Sequence, residues 1–278
     1  MLLEANILEL VKLLGDEALH SAGVIPWSSP IPSFGDLGQA KIATLGLNPS
    51  NREFVDARGD ELDGANRRFH TLKSLSLSSW AKAKDRHLEL MAESCRTYFK
   101  ANPYDGWFKR LDEIIVGTKC SYYERQNDLA CHLDLIPFAT AEKWMTLTNS
   151  QRLALLSYAG DTLGHLVRDS SIKVLILNGA SVVAGFERAA GVSLNHQVMP
   201  TWALPRRSTP DVPGIGYRGK VHRMGHVSLG REVLVLGFNH NIQSSFGVTK
   251  DVKSEIAKWI GKHVPRATYE TERPFSLN

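Results

Sequence analysis

The sequence predicts an α/β fold, a three-layer αβα sandwich around a mainly parallel central sheet. Three observations predict it. Four apolar runs, at 41–47, 129–138, 173–178 and 232–238, have the length and composition of buried strands. The stretches between them carry apolar residues at helical spacing, and strands that alternate with helices imply parallel pairing with both faces covered. Three of the runs end in polar residues, at Asn48, Asn178 and Asn239-His240, and the remaining run carries Asp134 among hydrophobes. Parallel strands gather their carboxyl ends along one edge, where open α/β sheets bind ligands.

In chain order, Leu3, Ile7, Leu10, Val11 and Leu14 predict an amphipathic helix over 2–20, and Pro26, Pro30 and Pro32 mark a loop up to Gly38. The first strand, 41–47, stops at Asn48-Pro49, a dipeptide that breaks strand and helix alike. A polar loop follows to Asn66. Leu88, Met91, Cys95 and Tyr98/Phe99 give one helix face, and Trp107, Phe108, Leu111, Ile114 and Ile115 another. The second strand ends at Pro137. Thr148 and Gln151 form a capping-box pattern that starts the next helix. The third strand closes at Asn178-Gly179, with a helix from about Ser181. The fourth runs from Glu232 to Phe238, and a last helix spans Thr249 to Lys262. With no repeat and no linker, 1–278 reads as one domain, with 1–38 as a helix-and-loop extension.

Composition narrows the class. The chain is 43% hydrophobic and 22% charged, which is ordinary globular usage. No apolar run approaches the roughly 20 residues needed to span a bilayer, and Glu4 and Glu9 exclude the basic start of a signal peptide. Cys95, Cys120 and Cys131 supply neither a disulfide framework nor four thiolates for an iron–sulfur cluster, so a reduced, cytoplasmic protein is expected. The net charge of +4 is carried by 206–223, where Arg206, Arg207, Arg218, Lys220 and Arg223 face only Asp211. Such a Gly/Pro-rich basic loop is suited either to phosphates or to plain solvation. Cys131, His132 and Asp134 do not predict a metal site, because adjacent strand residues point to opposite faces.

Taken together, Gly46-Leu47-Asn48-Pro49, Leu133-Asp134-Leu135-Ile136-Pro137, Val174 to Gly179, and His240-Asn241 with Gln243-Ser244-Ser245 resemble, in order, the motifs of the uracil-DNA glycosylase superfamily. The first has the Asn-Pro form of its mismatch-specific and single-strand-selective branches. The resemblance covers roughly residues 40 to 250. It departs from the family pattern at Asn241, where a proline is usual, at Asp134, where an asparagine reads the base, and in a longer loop after Asn48.

The resemblance implies a monofunctional enzyme, without cofactor or metal, that flips a nucleotide out of DNA and hydrolyses its N-glycosidic bond. Asn48 would orient the water, and His240 would donate to the base as charge builds there. Gly46, Leu47, Ser50 and Asn51 would line the base pocket, with Phe69, or else Phe54, stacked on the base. Asn178, Asn241, Ile242, Gln243 and Ser244, together with the basic loop, would contact DNA, and Ile242 or Gln243 would fill the vacated space in the duplex.

Asp134 points to cytosine rather than uracil. A neutral carboxyl accepts from N4–H and donates to N3, and apolar neighbours favour that neutral form. Excising ordinary cytosine would destroy a genome, so a C5 substituent is expected, with Ser50 and Asn51 small enough to admit one. Hydroxymethylated or glucosylated cytosine in phage DNA fits, as in a defence branch of the superfamily, acting as a cytoplasmic monomer. Other readings stay open: a uracil or mismatch repair glycosylase, a non-catalytic nucleic-acid sensor, and a hydrolase of free nucleosides.

Overall fold

A computed structural model describes residues 2–101, 105–123, 129–206, 208–243, 247–265 and 268. Its strands are β1 (Ile42–Gly46), β2 (Ala130–Asp134), β3 (Val174–Asn178), β4 (Asn195–Val198), β5 (Ile215–Met224) and β6 (Val227–Phe238). They form one sheet in the order β2-β1-β3-β6-β5-β4. The four strands expected from sequence are the parallel ones, and β5 and β4 extend the sheet antiparallel beyond β6. Every residue of β1, β2 and β3 is buried, as parallel strands covered on both faces require.

The helices are α1 (Leu2–Leu13), α2 (Glu17–Ser21), α3 (Asp85–Arg96), α4 (Tyr98–Ala101), α5 (Asp105–Ile115), α6 (Asn149–Arg168), α7 (Ala180–Ala190) and α8 (Lys250–His263). Strand residues alternate between two cores. Ala43, Leu45, Cys131, Leu133, Leu175 and Leu177 pack with α1, α3, α6 and α7. Ile42, Ala130, Val174, Ile176, Leu234 and Leu236 pack with α5 and α8. These are the three layers. The helix expected over 2–20 breaks after Leu13, because the Asp16 side chain accepts from Ala18 N (2.8 Å) and starts a new one. The capping box at α6 forms, with Gln151 N bonded to the Thr148 hydroxyl and Thr148 N to the Gln151 side chain.

Two features depart from the sequence reading. The stretch expected as a basic loop, 206–223, contributes most of β5, and β4 was not anticipated. In β5 only Gly216, Val221 and Met224 are fully buried, so its apolar signal is too sparse for a strand template. It is held instead by the long ladder to β6, which closes through the tight turn at Gly225, a residue with φ of 55°. The second feature is the segment before β1. Phe34 N and O pair with His132 (both 2.9 Å), Ile31 N with Pro137 O (2.8 Å), Ile25 N with Ala139 O (2.9 Å), and Gly23 O with Ala141 N (2.9 Å). The expected extension therefore runs antiparallel along the outer edge of β2, satisfying backbone groups that an edge strand would leave open.

Phe34 anchors that run, 3% exposed and ringed by Phe69, Tyr98, Phe108 and His132. Phe34→Ala is expected to lower unfolding free energy by about 3 to 5 kcal/mol, the range for a buried Phe. Urea denaturation measures it. A loss below about 1 kcal/mol would mean that this segment is not part of the cooperative fold.

Candidate active site

The period of two along each strand decides which polar residues meet. On the α5 side of the sheet β1 presents Ile42, Thr44 and Gly46, and β2 presents Ala130, His132 and Asp134. The parallel register sets Thr44 beside His132 and Gly46 beside Asp134. The apolar run thus gives way to polar groups at the carboxyl ends, where β3 adds Asn178. Gly46 is required here: a Cβ would lie 2.3 Å from Asp134 Oδ1 and 3.0 Å from His132 Nε2.

These groups form a buried relay. His132 Nε2 lies 3.4 Å from Asp134 Oδ1, and its Nδ1 lies 2.7 Å from Thr44 Oγ1, which also meets the Tyr122 hydroxyl. Burial holds the Tyr122 phenol well above its ordinary value, so it keeps its proton. If Tyr122 donates to Thr44 and Thr44 to Nδ1, then Nε2 carries the ring proton, on the edge of the ring that lies nearest Asp134. Asp134 thus has an imidazole nitrogen 3.4 Å from one oxygen, whereas the sequence reading gave it only apolar neighbours. The strand period of two already puts His132, two residues away, on the same side as Asp134, a signal the sequence reading did not use.

Above the relay is a pocket of about 340 Å³, within the size range of small-molecule sites. Its floor is Gly46, His132 and Asp134. Phe34, Trp107 and Phe108 form an aromatic wall, with all three rings within 5.6 Å of the His132 ring. One side is Leu47 to Asn51, fastened to the loop after β2: Asn48 Nδ2 donates to Thr140 Oγ1 (2.9 Å) and Asn51 Nδ2 to Ala141 O (3.0 Å). Both hydrogen bonds of the Asn48 amide use Nδ2, the other going to Pro49 O (3.1 Å). Oδ1 accepts none among the described residues and is available to a ligand or water. The mouth is Glu142, Lys143, Trp144 and Met145, the last 77% exposed.

Glu53, which the sequence reading passed over, also lines this pocket while only 3% exposed. The Tyr98 hydroxyl lies 3.1 Å from each of its oxygens, and Arg68 Nη1 is 3.6 Å from Oε2. Burial outweighs both partners and, with the charge of Asp134, raises its carboxyl from 4.5 to about 7. Glu53 is thus an acid lifted towards neutrality at this pocket. The one signal in the sequence was its position five residues after Asn48, too close to leave the same loop.

The remaining candidates divide. Ser50 and Asn51 line the pocket, and Ser50 also caps the turn that carries Glu53. Asn178 and Asn241 line it too, but Asn178 is an internal tie rather than an exposed DNA contact. Its Oδ1 accepts from Ile242 N (3.2 Å) and its Nδ2 donates to Gln243 Oε1 (2.8 Å). Gly179, at φ 105°, lets the Asn241 backbone approach. Phe54 and Phe69 are outside the pocket. Phe69 stacks on Tyr98 (5.3 Å), one layer behind Glu53, and the stacking surface is Trp107, Phe108 and Phe34 instead. His240 is buried outside the pocket, with Nε2 donating to Trp202 O (2.7 Å). Burial lowers its pKa, so the neutral ring has no second N–H with which to donate to a base. Ile242, 4% exposed, belongs to the core and is not poised as a wedge, and Gln243 is held by Asn178.

The basic residues do not form one patch. Arg218 faces Leu236, two positions from the site end of β6. Arg223 faces Ser228, about 30 Å further from that edge than Phe238 at ~3.3 Å per residue. Lys220 pairs with Glu232 (2.6 Å), and Arg206 N bonds the Asp211 side chain (3.0 Å). Arg207 and Ser244 lie outside the described residues. Cys131 faces the opposite core from His132, and the described residues hold no group of three metal-ligating side chains. No helix among them is long and apolar enough to cross a membrane. Compared with protein-family models the chain matches none, and it matches no curated protein.

The raised Glu53 carboxyl makes stability pH-dependent. Below about pH 4.5 it is neutral in both states; between 4.5 and about 7 only the unfolded chain ionises, so stability falls as pH rises and levels off above. At about 1.4 kcal/mol per unit the loss is on the order of 3 kcal/mol. In urea unfolding from pH 4 to 8, the stability of wild type relative to Glu53→Gln is expected to fall by this amount, because groups such as the buried His70, lowered to about 4, act on both proteins alike.

Proposed function

We propose that this protein is a monofunctional DNA glycosylase that hydrolyses the N-glycosidic bond of a flipped-out, C5-modified cytosine and leaves an abasic site. The observation that carries the reading is convergence. Gly46 to Asn51, Asp134, Asn178 and Asn241, drawn from four segments of the chain, line one pocket at the carboxyl edge of the parallel sheet. That is where a glycosylase of the resembled superfamily needs them.

The chemistry assigns roles. A base enters between the aromatic wall and the first loop, with its Watson–Crick edge toward the floor. Asp134 accepts from the exocyclic N4–H, an interaction that uracil O4 cannot make. Asn48, pinned by Thr140, turns Oδ1 to a water and orients it toward C1′. Breaking C1′–N1 spreads positive charge over the sugar, and water completes the reaction as the base departs. Ser50 and Asn51 flank the space for a C5 substituent and offer hydrogen bonds to a hydroxylated one. The protein acts on DNA as a cytoplasmic monomer, and phage DNA bearing hydroxymethyl- or glucosyl-cytosine is the natural source of such bases.

Mass spectrometry of bases released from DNAs carrying uracil, cytosine and C5-substituted cytosines tests the reading. Wild type is expected to release a modified cytosine, and Asn48→Ala to fold normally but lose at least about a hundredfold in rate, the scale of a misplaced reactant. Full activity in a folded Asn48→Ala, or no base released from any DNA, sinks the assignment. For DNA binding, Arg218→Gln is expected to reduce the slope of log affinity against log salt by about one, and Arg223→Gln to leave it unchanged.

A further inference from the structure

We infer that Glu53 is the general acid of this site and delivers a proton to the ring nitrogen N3 of the departing base. The inference rests on the glycosylase reading above and adds to it the group that makes cytosine a competent leaving group. Two carboxyl groups line the same pocket. Asp134 has the His132 ring 3.4 Å from one oxygen, and its other oxygen is placed to accept from the exocyclic amine. Glu53 has a different setting. It lies on the short turn after Asn51, almost wholly buried, and its one close cation among the described residues is Arg68 at 3.6 Å. The Tyr98 hydroxyl can donate to only one of its two oxygens at a time, although it lies 3.1 Å from each. The other oxygen can therefore carry a proton. A carboxylic acid beside a carboxylate presents one donor and one acceptor. Cytosine presents the complement, an acceptor at N3 next to a donor at N4, and uracil does not.

The step balances. As C1′–N1 breaks, its electron pair passes into the ring, and the Glu53 proton moves to N3, so the base leaves neutral. Water held by Asn48 bonds to C1′ and loses a proton, by way of solvent, to the Glu53 carboxylate, which restores the acid. The net change is one water consumed, one free base and one abasic sugar formed, with no oxidant or co-reactant.

The acid is functional only while protonated, and its carboxyl sits at about 7. The charged and titratable groups facing it are Arg68, Tyr98 and Asp134, with His132 behind Asp134 and Glu142 and Lys143 at the mouth. Tyr98 stays protonated throughout, because burial and the neighbouring Glu53 hold its phenol far above its ordinary value.

The experiment measures single-turnover release of the modified cytosine that wild type excises fastest, from pH 5.5 to 9, for wild type and Glu53→Gln. Gln keeps the volume and an acceptor for Tyr98, and a thermal melt checks its fold. Wild type is expected to lose rate about tenfold per unit above pH 7. Glu53→Gln is expected to be slower by about 10²- to 10⁴-fold at pH 6, the span for a general acid, and flat across the window. A variant that keeps the wild-type fall-off, or loses the same factor at every pH, overturns the assignment and leaves the glycosylase reading standing. Wild type that releases no base from any DNA overturns both.

Discussion

The absence of a side chain at Gly46 is the constraint on which the site depends. Parallel pairing sets this residue directly beside Asp134, and any Cβ there would collide with the carboxylate and with His132. With the space open, Asp134 and His132 both turn into the gap at the end of the sheet. The relay through Thr44 to Tyr122 follows, because each member needs a partner once it is buried. A glycine in an all-buried strand gives up packing and backbone entropy. Here that loss makes room for a polar floor at the one place where the strand ends already converge.

The aromatic residues divide the work around that floor. Trp107, Phe108 and Phe34 face the pocket and shield His132 from water. Phe69, Phe54 and Tyr98 stand behind the first loop and enclose Glu53. Enclosure is what makes Glu53 unusual: Arg68 alone would hold a surface carboxylate ionised, but the cost of removing a charge from water exceeds what one cation at 3.6 Å returns. The same aromatic packing therefore stabilises the fold and sets the state of an acid. Phe34 links the two tasks, since its backbone closes the edge of β2 while its ring lines the pocket.

The far side of the sheet follows a different logic. The β5–β6 hairpin is long, half-exposed and charged, and its cations are spread along a strand instead of being gathered on a loop. Lys220 points outward by alternation and Arg223 because the register shift after Val221 resets it, and the ion pair of Lys220 with Glu232 is the ordinary behaviour of a solvated face. Linear charge density therefore overstated a patch that strand geometry disperses. Only the residues near the Phe238 end share an edge with the pocket.

By itself the sequence determined the layers, the four parallel strands and the loop that carries Asn48, because these depend on local periodicity and on Pro and Gly punctuation. It also marked Asp134 and Asn178 as polar groups at strand ends. Which of the remaining residues meet was decided only by tertiary structure. β4 and β5 were hidden because a strand with few buried positions has no apolar signature and is held by its neighbour's ladder. Glu53 was hidden because its surroundings come from elements distant in the chain, and burial, which shifts a carboxyl, cannot be read from adjacent letters; His132 shares a strand face with Asp134, but the Thr44 and Tyr122 it meets come from other elements. Phe69 and His240 went the other way: Phe69 was drawn into the core because a large apolar ring gains more by packing than by waiting at a cavity, and His240 was buried with its Nε2 bonded to Trp202 O. Spacing along the chain selects what can reach an edge, and the register between strands selects which side chains share it.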